Sequence, residues 1–151
     1  MNRVILLDAG PLGLVTNPRE TDLTRRCEEW LEATLAAGRR VVIPEIADYE
    51  VRRELIRAKR PKGIARLDRL ADLLDYLPMD TEVWRRAAVL WAVARNSGVS
   101  TADPQALDGD VLLWAQAQLV GEGGHEVIVA TTNVGHLGRY VDARTWAEII
   151  P

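Results

Sequence analysis

A single cysteine, Cys27, occurs among the 151 residues, so no internal disulfide can form. That is compatible with a reducing compartment, and the expected location is cytoplasmic. No apolar run approaches the roughly 18 residues a membrane span requires. The opening Met1-Asn2-Arg3, followed by Val4 to Leu7, is too short for a secretory leader and runs straight into a fold element. Only two histidines, His125 and His136, accompany the one cysteine, which argues against a structural zinc site. Neither a catalytic cysteine nor a serine–histidine pair is evident. Repeats, low-complexity tracts and linkers are also missing, so residues 1–151 are expected to form one domain. A chain of this length buries about 70% of its unfolded surface and folds without a staple.

Lys and Arg number 19 against 22 Asp and Glu, but the positive charge is unevenly placed. The net charge is −3, which by itself gives no sign of a nucleic-acid partner. Between Arg52 and Arg69, however, eight Lys and Arg residues are opposed only by Glu54 and Asp68, a local excess of about +6 against about −9 for the rest. One basic and one acidic surface are expected.

Apolar periodicity and punctuation alternate strands with helices. Arg3 to Leu7 reads as a buried strand, broken by Gly10, Pro11 and Gly13, with a short helix up to Pro18. Thr21 or Asp22 can cap a helix carrying Leu23, Cys27, Trp30, Leu31 and Leu35, stopped by Gly38. Arg40 to Ile43 is a second strand, and Pro44 suits the first turn of a helix running to about Lys59. After Pro61 and Gly63 comes another helix, then a weak strand at Tyr76 to Met79. A helix capped by Asp80 or Thr81 carries Trp84, Leu90 and Trp91 to about Asn96. A loop is expected from Gly98 to Leu107, then a helix from Gly109 to about Val120 with Asp108 as its cap. Glu126 to Ala130 and Trp146 to Ile150 complete the strands. The pattern predicts an α/β/α sandwich around a mostly parallel sheet of about five strands.

In such sheets sites form at the carboxyl ends of strands near the point where strand order reverses. Asp8 follows the first strand, and Thr131, Thr132 and Asn133 follow the strand at Glu126 to Ala130. Turn-forming Asp and Asn are the plain alternative; Thr131 reads as an ordinary strand residue. Asp110 and Asp108 fall at an expected helix start, where a cap and a first-turn acid are also ordinary. The helix IPEIADYEVRREL bears Glu45, Asp48 and Glu50. Five tryptophans are expected mainly in the core, with Trp84 and Trp91, seven apart, on one core or dimer-forming face. Cys27 reads as a small buried apolar group, and His136 as an exposed loop residue.

Taken together, VILLDAGPLG, IPEIADYEVRREL, LDGDVLLWAQAQL and VIVATTNVGHL resemble, in order and spacing, the PIN-domain family and within it the VapC-type toxins. The resemblance spans nearly the whole chain. It implies a PIN-like fold, with Asp8 as the first acid, Glu50 as the helix glutamate (Glu45 being its rival), Asp110 as the third acid and Asn133 at the fourth position. It further implies an Mg²⁺- or Mn²⁺-dependent endoribonuclease with metal held by Asp8, Glu50 and Asp110. Asp108 and Thr132 are candidate assisting groups, and Arg52, Arg53 and Arg57 candidate RNA-backbone contacts. Implied partners are an RNA substrate, a small antitoxin protein and a second copy of the chain. Two positions depart from the family pattern: Ala9 replaces the usual Ser or Thr after the first acid, and His136 replaces a common Asp.

The chemistry agrees with that reading. Phosphodiester hydrolysis needs an activated water and a stabilised phosphate, and Mg²⁺ and Mn²⁺ provide both while preferring oxygen ligands. Carboxylates within about 5 Å repel by about 3 kcal/mol per pair at an effective dielectric of 20, so such a cluster is stable mainly around a cation. The alternatives are a catalytically weakened module that binds RNA or a partner, and a housekeeping RNA-processing nuclease. An aspartyl-phosphate enzyme is disfavoured, since it needs a second Asp where Gly10 stands.

Overall fold

The computed structural model describes residues 2–98 and 104–151. Its sheet has five strands: β1 (Arg3–Leu7), β2 (Arg40–Pro44), β3 (Asp75–Leu77), β4 (Glu126–Thr131) and β5 (Ala143–Thr145). Their order is β3-β2-β1-β4-β5 and every pairing is parallel. Six helices connect them: α1 (Ala9–Thr16), α2 (Asp22–Ala36), α3 (Glu45–Arg57), α4 (Pro61–Leu73), α5 (Thr81–Asn96) and α6 (Pro104–Glu122). The α/β sandwich with a parallel five-stranded sheet is therefore as expected.

The strands are nearly continuous apolar runs because both sheet faces are covered. One core joins Ile5, Leu7, Val41 and Ile43 of the sheet to α1, α2 and Val51 of α3, with Trp30 packed 5.9 Å from Trp146. The other joins Val4, Leu6, Val42 and Val129 to α5 and α6 around the buried Trp114. Cys27 is fully buried against α1, and burial pushes its thiol up to about 12, so it is an inert core group. No helix among the described residues is long and apolar enough to cross a membrane.

Three expectations shift. The last strand is Ala143–Thr145, and Trp146–Glu148 is a short 3₁₀ turn whose indole closes the core beside Trp30. The weak strand lies at Asp75–Leu77 rather than Tyr76 to Met79. Residues 99–103 of the expected loop lie outside the described residues, and from Pro104 onward the chain is already helical. Asp108 is therefore not a helix cap, and Asp110 stands almost two turns inside α6. A proline supplied the start signal that the Asp seemed to give.

Trp84 and Trp91 are not core residues. They are 56% and 42% exposed and flank a shallow apolar depression with Ala88 and Leu112. The other three tryptophans are buried.

Candidate active site

The order of strands reverses between β1 and β4: the chain adds β2 and β3 on one side of β1, and β4 and β5 on the other. The crevice at the carboxyl ends of β1 and β4 is the place where such sheets carry sites. Register decides what stands there. Leu7 pairs with Ala130, so the next residues, Asp8 and Thr131, emerge side by side.

Asp8 is anchored from two directions. Its Oδ1 accepts the N–H of Ala9 at 2.7 Å as it caps α1, and its Oδ2 accepts the Thr131 hydroxyl at 2.8 Å. The same Thr131 oxygen accepts the N–H of Asn133 at 3.3 Å. The buried Thr131 thus couples the first acid to the fourth position. Ala9 lacks the family's usual hydroxyl, but Asp8 has a hydroxyl partner on the neighbouring strand. Thr131 is therefore more than the ordinary strand residue its sequence context suggests; its signal is a hydroxyl in parallel register with an acid.

Two further helices bring Glu50 and Asp110 to Asp8. Burial raises the Glu50 pKa above the ordinary carboxylate value, Asp8 and Asp110 add to the rise, and Arg53 opposes it. The Asp110 carboxyl is pushed up to about 6, first by burial and then by Asp8, with His136 acting the other way. Asp110 is not the first-turn acid its sequence context suggests: α6 begins at Pro104, and the N-terminal dipole, confined to the first turn, does not reach it. Gly109 makes room for this approach: a methyl group there would stand 3.3 Å from Glu50 Oε2. Gly10 does the same on α1, where a Cβ would lie 2.5 Å from Thr132 Oγ1. Thr132 and Asn133 are exposed at the mouth. His136 is exposed on a 3₁₀ turn, Gly135–Arg139, that Trp114 fixes by donating to the Leu137 carbonyl at 3.0 Å.

Other sequence candidates lie elsewhere. Glu45 accepts the N–H of Met79 at 2.8 Å and so ties α3 to the segment after β3. Asp48 is buried, pairs with Arg52 at 2.7 Å and accepts the Tyr76 hydroxyl at 3.0 Å. Arg52 also holds Asp68 at 2.7 Å, Arg57 is paired with Glu54, and Arg53 stacks 5.0 Å from the Tyr49 ring centroid. Arg52 and Arg57 are thus already paired, and the expected contact set Arg52, Arg53 and Arg57 is not a row of unengaged cations. Asp108 is exposed beside Trp84 and Trp91, on the opposite side of α6 from Asp110.

Asp8, Glu50 and Asp110 converge from a strand end and two helices, and none of the three is in an ion pair among the described residues. They stop short of a closed cluster: among the described residues no three His, Cys, Asp or Glu side chains form a ready-made metal cage. The donor set nevertheless fits a hard divalent cation, since it offers only oxygens and the negative charge of Asp8 raises the proton affinity of both Glu50 and Asp110.

The family model for the PIN domain matches residues 5–133. Comparison with curated proteins gives no match in sequence. Among solved structures, the chain is similar to VapBC2 from Rickettsia felis bound to a DNA fragment from its promoter, at 16% identity and a TM-score of 0.69, over 95% of this chain and 98% of that one. It is similar to FitAcB from Neisseria gonorrhoeae at 21% identity and a TM-score of 0.69, over 96% and 99% of the two chains. It is also similar to VapBC-5 from Mycobacterium tuberculosis, a member of the VapBC family of toxin–antitoxin systems, at 19% identity and a TM-score of 0.56, over 94% and 96%. These likenesses share the fold described above, and with the family match over most of its length the chain belongs to the PIN-domain family.

Proposed function

We propose that the chain is a divalent-metal-dependent endoribonuclease acting as the toxin of a toxin–antitoxin pair. The observation that carries the reading is the convergence of Asp8, Glu50 and Asp110, none of them in an ion pair among the described residues, with the Glu50 and Asp110 carboxyls raised by burial and by the charge of Asp8. Mg²⁺ or Mn²⁺ held by these three carboxylates would supply Lewis acidity at a phosphate oxygen and acidify water at neutral pH. Thr131 and the Ala9 N–H keep the Asp8 carboxylate aimed into the crevice. The Asn133 carboxamide and the Thr132 hydroxyl, both exposed at the mouth, can donate to phosphate oxygens. Asp8→Asn or Asp110→Asn should abolish Mg²⁺-dependent RNA cleavage, and full activity in either variant overturns the reading.

The toxin assignment is supported by likeness to VapBC proteins. Induced expression should arrest growth, and co-expression of a small antitoxin encoded beside it should relieve the arrest. A second copy of the chain is the other expected partner, with Trp84 and Trp91 as its exposed apolar contact. Trp84→Ala/Trp91→Ala should then shift the mass in solution from dimer to monomer.

His136 in place of an acid favours one second reading, a module that binds RNA or a partner without cleaving. Calorimetric titration with Mn²⁺ separates the two: no binding at millimolar metal selects the module.

A further inference from the structure

The crevice beside Glu50 continues beyond the carboxylates. A cavity of about 590 Å³ runs between α1 and α3 from Ala9, Gly10 and Glu50 to Pro18, Arg19 and Arg60. A second cavity, of about 430 Å³, shares Pro18, Arg19 and Arg60 with it and extends to Lys59 and Lys62. One groove therefore leads from an acidic end to a basic end.

Local structure builds the basic end. Gly63 lets α4 close on α1 and α3, since a Cβ there would lie 2.7 Å from Leu55 Cδ2 and 3.2 Å from the Thr16 carbonyl. Arg66 then ties α4 to the end of α1 by donating to the Asn17 carbonyl at 2.9 Å. Lys59, which follows the end of α3, has φ 55°, the left-handed conformation that a helix end usually gives to glycine. A side chain there costs about 1 kcal/mol. The fold thereby lifts Lys59 out of α3 beside Arg60, whose N–H closes the turn on the Leu55 carbonyl at 2.9 Å.

Arg19, Lys59, Arg60 and Lys62 are all exposed, and none is in a salt bridge among the described residues. The carboxylates along the groove are Glu50 and Glu54, and Glu54 is paired with Arg57. Among the described residues no aromatic ring lines either cavity, so they give the groove no stacking platform for bases.

We propose that Arg19, Lys59, Arg60 and Lys62 grip the phosphate backbone of single-stranded RNA away from the phosphate at the carboxylates. The proposal rests on the nuclease reading of Asp8, Glu50 and Asp110. Cations without base-stacking partners read backbone rather than sequence, so the grip sets affinity and direction along the groove. An acidic protein segment is the competing occupant. It would meet Glu50 and Glu54 in the same groove, whereas a phosphate at that end is neutralised by the divalent ion the nuclease reading requires.

The test is fluorescence anisotropy of a fluorescein-labelled 12-nucleotide oligouridylate with the full chain, both in EDTA, where nothing is cleaved, and in Ca²⁺, an oxygen-preferring divalent ion that can neutralise the carboxylate end. The Arg19→Ala/Lys59→Gly/Arg60→Ala/Lys62→Ala variant should bind roughly tenfold to a hundredfold more weakly at 0.1 M salt. The slope of log affinity against log salt should shrink by about 2 to 3, the value for four phosphate contacts to a single strand. Arg26→Ala/Arg39→Ala/Arg85→Ala, which removes cations outside the groove, should leave both unchanged. Lys59→Gly alone guards against misfolding, because glycine suits φ 55°. It should fold at least as stably as the parent and still bind RNA more weakly. Retention of parental RNA affinity and salt slope in the quadruple variant overturns the grip. Loss of binding to an oligoglutamate peptide with RNA affinity retained also overturns it, and assigns the groove to a protein partner. Failure of the nuclease reading is seen separately, as absence of Mg²⁺-dependent cleavage by the unaltered chain.

Discussion

Helix α3 carries acids in two contrasting settings. At its first turn Glu45 and Asp48 are saturated: the Met79 N–H, the Tyr76 hydroxyl and the Arg52 guanidinium take up their oxygens. Farther along, Glu50 faces Asp8 and Asp110, with burial and like charges raising its pKa and only Arg53 in opposition. The first pair fastens α3 to β3 and α4. The second grouping is held in place at an electrostatic cost. A buried acid with donors around it is scaffold, and acids brought together without an ion-pair partner mark a candidate site for a cation.

The contrast breaks most visibly in activity. Asp8→Asn or Asp110→Asn should lower Mg²⁺-dependent RNA cleavage by at least roughly a thousandfold, about 4 kcal/mol of barrier, while circular dichroism stays native. Asp48→Ala should do the reverse. It strips Arg52 and Tyr76 of a partner at a position only 5% exposed. Urea unfolding should show a loss of roughly 2 to 4 kcal/mol, with the remaining folded fraction still able to cleave.

A smaller effect sharpens the contrast through pH. The Asp110 pKa is raised in the folded state to about 6, above its unfolded value. The folded chain therefore holds that proton more tightly, and stability is lost as pH rises from about 4 to 6. In EDTA at pH 7.5, Asp110→Asn should be more stable than the parent by roughly 1 kcal/mol, allowing for solvent screening of a half-buried group. At pH 4 the gain should vanish. Added Mg²⁺ should raise the melting temperature of the parent and leave that of Asp110→Asn almost unmoved. No stability gain at pH 7.5 would mean that the carboxylates are farther apart in solution than the coupling requires.

The smallest expected effect is at Gly109. Alanine there gains roughly 0.5 to 1 kcal/mol of helix propensity but crowds Glu50 Oε2 at 3.3 Å. Stability should change little, and cleavage should fall about tenfold, consistent with a displaced ligand. Unchanged cleavage would show that the glycine serves only close packing.

Much of the fold was legible because it follows from local pattern. Uninterrupted apolar runs at Val4–Leu7 and Val41–Ile43, short and bounded by turn residues, read as strands covered on both faces, and the structure has them so. Capping and turn residues such as Thr21, Asp80 and Gly38 set helix limits that the structure keeps. Asp108 misled for a physical reason. An Asp before an apolar helix is the usual cap, but Pro104 starts α6 a turn earlier and buries the sequence signal inside it. Trp146 misled because an apolar run at the chain end looks like a strand, while its indole is needed over Trp30 as a plug.

Of the site, the sequence marked Asp8, Glu50, Asp110 and Asn133 as candidates, and left Glu45 as a rival to Glu50. Sequence alone could not choose between two glutamates on one helix, since the choice depends on which side of α3 meets Met79 and which meets α6. Nor could it find Thr131, whose hydroxyl matters only because β1 and β4 run parallel in a register that sets it beside Asp8. The basic run from Arg52 to Arg69 was visible as charge, but its division was not. Arg52 and Arg57 are spent on internal pairs, while Lys59, Arg60 and Lys62 join Arg19 at the end of a groove.

The sequence by itself determined the alternation of strands and helices and the burial of the sheet on both faces, and it singled out the acids proposed for the site, because these depend on residue identity and short-range periodicity. Tertiary structure alone decided which acids confront one another and which are neutralised, and which cations stay exposed. Charge interactions depend on distance through space and on burial, and neither is fixed until the parallel sheet brings residues 8, 50, 110 and 131 to one edge.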